Sequence, residues 1–174
     1  MLQKYSSYKL LQEFFNSPKK NFQMRELSRK IKLAQSSVIN HLNTLAKEKI
    51  ILKEKKGIYP SFRANRENEE FKLLKKQNLL WRIHKSKLLD YLEEKIKPDC
   101  IILFGSASKG EDTEESDIDL FIQAKETSLN LENYEKTLNR KINPLFEAKL
   151  KTLNKELLNN LINGQVLYGY LQVF

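Results

Sequence analysis

Asp117 and Asp119 stand two apart in DIDLFI (117–122), and ten residues separate Asp117 from the pair Gly105-Ser106. In a strand, residues two apart point to the same side. Both carboxylates would then face one way, with no basic neighbour in sequence. Like charges held that close are unfavourable unless a cation sits between them. Carboxylate oxygens suit a hard divalent ion such as Mg²⁺, which also carries phosphates. Gly105 lets a phosphate approach the main chain, and Ser106 adds a hydroxyl and backbone N–H groups. Lys109 is a further candidate phosphate contact. The chemistry expected is the holding of a nucleoside triphosphate.

These residues need rigid elements behind them. CIILF (100–104) is a short continuous apolar run, suited to a strand buried on both faces. LENYEKTLNRK (131–141) and LNKELLNNLIN (153–163) read as helices, with INPLFEA (142–148) as a strand between them.

GSASKGEDTEESDIDL resembles the signature of minimal nucleotidyltransferases of the polymerase-β type: Gly-Ser, ten residues, then Asp-x-Asp. Gly110 and Ser116 also match, and Lys109 falls where the family has a basic residue. Ala107 departs, standing where another basic residue is common. The likeness runs over roughly residues 98 to 170, including LYG (167–169). It implies a small mixed sheet flanked by helices, Mg²⁺ held by Asp117 and Asp119, and transfer of AMP from ATP to a hydroxyl of a protein or small molecule. It also implies a third carboxylate on the strand after the intervening helix, which helps to activate the attacking hydroxyl. In INPLFEA that slot falls on Asn143, which cannot serve as a base. Glu147 shares its strand parity and is the substitute candidate for the catalytic set. Related minimal transferases act as antitoxins to a helical toxin partner. The alternative to an enzyme is therefore a regulator whose transferase fold is a weak nucleotide sensor or partner-binding module.

The rest of the chain is basic. Residues 1 to 97 carry 23 Lys/Arg against 10 Asp/Glu, whereas residues 98 to 174 carry 8 against 12. That asymmetry points the first half toward a polyanion. Helical spacing runs over residues 3 to 16 and again through Met24, Leu27 and Ile31; QSSVINHLNTLAKEKI follows with Val38, Leu42 and Leu45 on one face. Ile50 to Glu54 and Ile58 to Arg63 then read as two strands around a Lys-Lys-Gly turn. This order, over residues 1 to 66, resembles a winged helix-turn-helix, with Lys32 where such turns often carry Gly and Ala34 where a Ser or Thr would cap. The likeness and the charge imply duplex DNA as partner. Gln35, Ser36, Ser37, Asn40 and His41 would meet base edges from the third helix. Lys53, Lys55, Lys56 and Arg63 would meet phosphates from the wing.

Residues 67 to 97 lack Gly and Pro and read as one connecting helix that ends before Pro98. Leu74, Trp81 and Leu88, seven apart, leave a homodimer seam open. The fold class expected is α+β: a winged helix-turn-helix (1–66), the connecting helix (67–97) and a minimal nucleotidyltransferase domain (98–174). Cys100 is the single cysteine, so no intramolecular disulfide forms. It opens an apolar run and reads as a buried small residue. No run approaches membrane-spanning length and the N-terminus lacks a signal-peptide core, so a cytoplasmic protein with no membrane partner is expected.

Overall fold

The computed structural model describes residues 5–55 and 58–171. The chain divides into two compact units, Met1–Lys75 and Lys76–Phe174.

In the first unit, α1 (Ser6–Asn16) is followed by a two-residue strand β1 (Phe22–Gln23), α2 (Met24–Ile31), α3 (Gln35–Lys47), β2 (Ile51–Glu54) and β3 (Ser61–Ala64). The strands form an antiparallel sheet in the order β1-β3-β2, with Phe22 opposite Phe62 and Lys53 also opposite Phe62 on the other side. Helical spacing in α1 and α3 delivers Leu10, Phe14, Val38 and Leu42 to one core, where they meet Leu27, Ile51 and Phe62. Phe14 and Phe22 pack edge-to-face, with ring centroids 5.2 Å apart, a geometry that favours aromatic pairs beyond their buried area. Between α2 and α3 the chain turns at Lys32, which takes a left-handed conformation (φ 55, ψ 48). That is the conformation glycine adopts at no cost. Ser28 supports the turn by donating its hydroxyl to the Leu33 carbonyl at 2.6 Å.

Residues 67–97 do not form one helix. They divide into α4 (Glu69–Lys85) and α5 (Leu88–Ile96). Ser86 donates its hydroxyl to Ile83 O at 2.7 Å and accepts from the Leu88 N–H at 3.3 Å, while Lys87 turns left-handed at φ 66. A serine hydroxyl that competes for backbone groups ends one helix and starts the next. No single helix carries Leu74, Trp81 and Leu88 as one seam, because Leu88 is wholly buried in the second unit's core on a different helix from Leu74 and Trp81.

The second unit is built on a four-stranded mixed sheet in the order β6-β5-β4-β7, from β4 (Cys100–Leu103), β5 (Ile118–Ile122), β6 (Ile142–Phe146) and β7 (Gln165–Gly169). β5 and β6 run parallel, and the other pairs are antiparallel. Three helices follow individual strands: α6 (Gly105–Lys109), α7 (Glu132–Leu138) and α8 (Lys155–Ile162). Period-two alternation sorts the side chains. Ile101, Leu103, Ile118, Leu120 and Ile122 pack with Leu88 and Leu92 of α5 and Leu138 of α7. Cys100, Ile102 and Phe121 face the other way and pack with Leu161 of α8. This is an α+β fold with a mixed sheet flanked by helices, as expected. Among the described residues no helix is long and apolar enough to cross a membrane.

Candidate functional site

Asp119 lies on β5 with the parity of Phe121, so it projects from the sheet face that α8 covers. Asp117 immediately precedes the strand and is exposed; Asp119 is half-buried. The end of β4 meets this strand where the Phe104 N–H donates to the Asp119 carbonyl at 3.1 Å. The next residue, Gly105, begins α6 with φ 70, and a Cβ built on it would lie 2.6 Å from Asp119 Oδ2. The glycine therefore has two causes, a left-handed backbone and a carboxylate oxygen against its Cα. Gly105 of the Gly-Ser turn and Asp119 of the aspartate pair, expected to work together, approach each other closely.

On the other side of β5, the parallel register sets Asn143 of β6 opposite Asp119. Asn143 Nδ2 donates to Asp119 Oδ1 at 3.0 Å. One step before the Ile118–Ile142 pair, the Ile118 N–H donates to Lys141 O at 2.8 Å. Lys141 thus stands beside Asp117, and both line a cavity of about 550 Å³ together with Glu114, Lys136 and Arg140. The expectation that the aspartates have no basic neighbour holds only along the sequence. Across the sheet, the neighbouring strand offers Lys141 and Asn143 at the two matching positions.

The acidic loop between α6 and β5 is fixed from below. Asp112 and Arg140 form a salt bridge with side chains only 5% and 11% exposed. The same guanidinium donates to Thr113 O at 2.6 Å. Ser116 accepts the Thr113 N–H at 2.9 Å, closing the turn just before Asp117. Ser116 therefore acts on the loop's shape, and Arg140 ties that loop to the start of β6. Sequence reasoning missed Arg140 and Asp112, since nothing local couples residues 28 apart.

Residues 86–171 match the family model described as Polymerase beta, Nucleotidyltransferase. The second unit carries a polymerase-β-type nucleotidyltransferase domain. No curated protein matches the chain. Among solved structures, two mutants of the toxin-antitoxin MntA-HpeT align at 24% and 26% identity, over 48% and 49% of this chain and 72% of theirs, with TM-scores of 0.38 and 0.37. A possible transcriptional regulator from Methanosarcina mazei Go1 aligns at 18% identity over 52% of this chain and 77% of its own, with a TM-score of 0.37.

Within the nucleotidyltransferase domain, Asp117 and Asp119 offer hard oxygen donors that fit a divalent cation sharing its coordination with phosphates. Among the described residues no group of three or more His, Cys, Asp or Glu could hold a metal, consistent with an amide at the position beside Asp119. Glu147 is not brought to the pair. It follows the last residue of β6, four positions beyond Asn143, and its N–H donates to Ile122 O at the far end of β5. Its carboxylate accepts the Lys149 N–H at 3.1 Å. That bond, followed by one with the Thr152 side chain, holds its pKa below the usual glutamate value. Lys109 closes α6 and is exposed.

In the first unit, Gln35, Ser36 and Asn40 are exposed on α3, while Ser37 and His41 are half-buried. Lys53 and Lys55 are exposed, and Lys53 Nζ lies 5.9 Å from the centroid of the Phe62 ring. Arg63 is committed to its neighbour strand, with Nε 2.5 Å from Glu54 Oε1. Lys56 lies outside the described residues.

Proposed function

We propose that the chain binds duplex DNA through its first unit and a Mg²⁺-nucleoside triphosphate through its second, transferring AMP from ATP to an acceptor hydroxyl slowly. In that transfer the hydroxyl oxygen bonds to the α-phosphorus, pyrophosphate leaves, and the hydroxyl proton passes to a base. Asp117 and Asp119 would hold the Mg²⁺ ion, which supplies positive charge against the triphosphate. Gly105 and Ser106 would present backbone N–H groups and a hydroxyl to the phosphates, with Lys109 at the rim.

The observation that carries this reading is the Asn143–Asp119 hydrogen bond. It sets an amide where a general base would stand, so binding is retained while proton removal is left to water. For the first unit, support comes from three helices followed by an antiparallel hairpin, the arrangement of a winged helix-turn-helix, with exposed Gln35, Ser36 and Asn40 on α3.

Calorimetry with ATP, with and without Mg²⁺, tests the nucleotide half. Binding should need Mg²⁺ and should vanish in Asp117→Asn/Asp119→Asn. Equal affinity in wild type and double mutant refutes it. The DNA half fails if no mobility shift appears with duplex at low salt.

A further inference from the structure

The two oxygens of Asp119 meet different surroundings. Oδ2 faces Gly105, where a Cβ would approach to 2.6 Å. Oδ1 accepts the Asn143 amide. If the site reading above holds, Oδ2 is the oxygen nearest the phosphates, and Oδ1 is turned toward β6.

Two-metal sites set their ions about 3.5–4 Å apart, so one carboxylate must give an oxygen to each ion. Each ion also needs anionic ligands of its own. Here a second ion could reach Asp119 only on its Oδ1 side, between β5 and β6. That space receives N–H donors from Asn143, and the residue two positions earlier with the same strand parity is Lys141. Asn143 thus presents an amide donor where a second ion would require negative charge. Reversing the Asn143 amide in the free protein would set two acceptor oxygens against each other, so the donor orientation is fixed by chemistry. Reversal around an ion would offer only a neutral oxygen in place of a carboxylate.

We propose that this site takes a single divalent cation with its nucleotide, and that Asn143 is the residue that sets the count. The proposal rests on the assignment of Asp117 and Asp119 as the nucleotide-metal pair. It makes the domain a one-ion nucleotide holder, with binding separated from the second ion's part in activating an acceptor.

Equilibrium dialysis of the full chain against Mn²⁺ and a non-hydrolysable ATP analogue gives the ratio of retained metal to retained nucleotide. Wild type should retain one Mn²⁺ per nucleotide, with any second ion weaker by about 10–100-fold, the scale on which ligand-shell changes alter metal affinity. Asn143→Asp should retain two. Asn143→Ala, which removes the donor but adds no charge, should stay at one. Two ions in wild type, or one in a folded Asn143→Asp, overturns the count while leaving the site assignment standing. No Mn²⁺ retained with the nucleotide in wild type overturns both.

Discussion

Asn143 donates to Asp119 Oδ1 across the parallel pair β5–β6, at 3.0 Å and in direct register. An amide in this position satisfies the carboxylate without competing for a proton. Asn143→Asp keeps the shape and restores a carboxylate beside the aspartate pair. Nucleotide transfer to a supplied hydroxyl acceptor should rise by about 100-fold or more, the lower range for general-base assistance. The metal-free variant should melt below wild type, because like charges now face each other, and Mg²⁺ should reverse the difference. Unchanged transfer with intact Mg²⁺ binding would show that the missing base is not what limits the rate.

Gly105→Ala should abolish nucleotide binding while leaving the first unit's DNA affinity unchanged. The left-handed backbone costs an L-residue about 1–2 kcal/mol, and the methyl group must displace Asp119 Oδ2. Thermal melts and calorimetry check the two effects separately.

Arg140→Met should destabilise the second unit, by up to about 3–5 kcal/mol, since it removes the buried ion-pair partner of Asp112. Arg140→Met with Asp112→Leu should recover part of that loss. Urea titration of the single and double variants measures it. A double mutant no better than Arg140→Met would mean that the Thr113 anchor outweighs the ion pair.

Lys53→Ala with Lys55→Ala should weaken DNA binding on all sequences and flatten the slope of log affinity against log salt by about 0.9 for each phosphate no longer neutralised. Arg63→Ala should change that slope less, because its charge is already paired with Glu54. Asn40→Ala should alter sequence preference instead. Competition binding at several salt concentrations separates the three.

Glu147 carries a different signature. A carboxyl whose folded pKa is depressed contributes stability above its unfolded pKa and loses it as pH falls through the folded value. An NMR titration should place the Glu147 midpoint below the ordinary glutamate value, the Lys149 N–H being the main cause. Glu147→Gln should remove that local pH dependence and leave Mg²⁺-ATP affinity intact. Loss of nucleotide binding in Glu147→Gln would return it to the site.

The sheet strands nearest the chemistry are legible because their signals are local. CIILF and DIDLFI correspond to Cys100–Leu103 and Ile118–Ile122, each within about a residue, with Asp119 on the strand and Asp117 immediately before it. Parity does not separate Asn143 from Glu147; the resemblance points to Asn143, and the parallel register sets it opposite Asp119. Other features have no local signal. The helix α6 reads as a polar turn in the sequence, since five residues are too few to show a period. Strand β7 pairs with β4 across more than sixty residues and through a register shift between Ile101 and Ile102. The break at Ser86–Lys87 is hidden because it contains neither Gly nor Pro, the residues that most often mark one.

The parallel alignment of β5 and β6 also has a kinetic consequence. Parallel strands cannot be joined by a tight hairpin, and the connection here runs out through α7 and back. Such non-local pairings require a loop to close before any favourable interaction compensates. Asp119 and Asn143 therefore meet only when the crossover has docked, after local helices and the antiparallel β4–β5 pairing can already exist. The Asp119–Asn143 contact thus reports completed assembly of the sheet, whereas Gly105 and Asp119 are already brought together by the antiparallel β4–β5 pair.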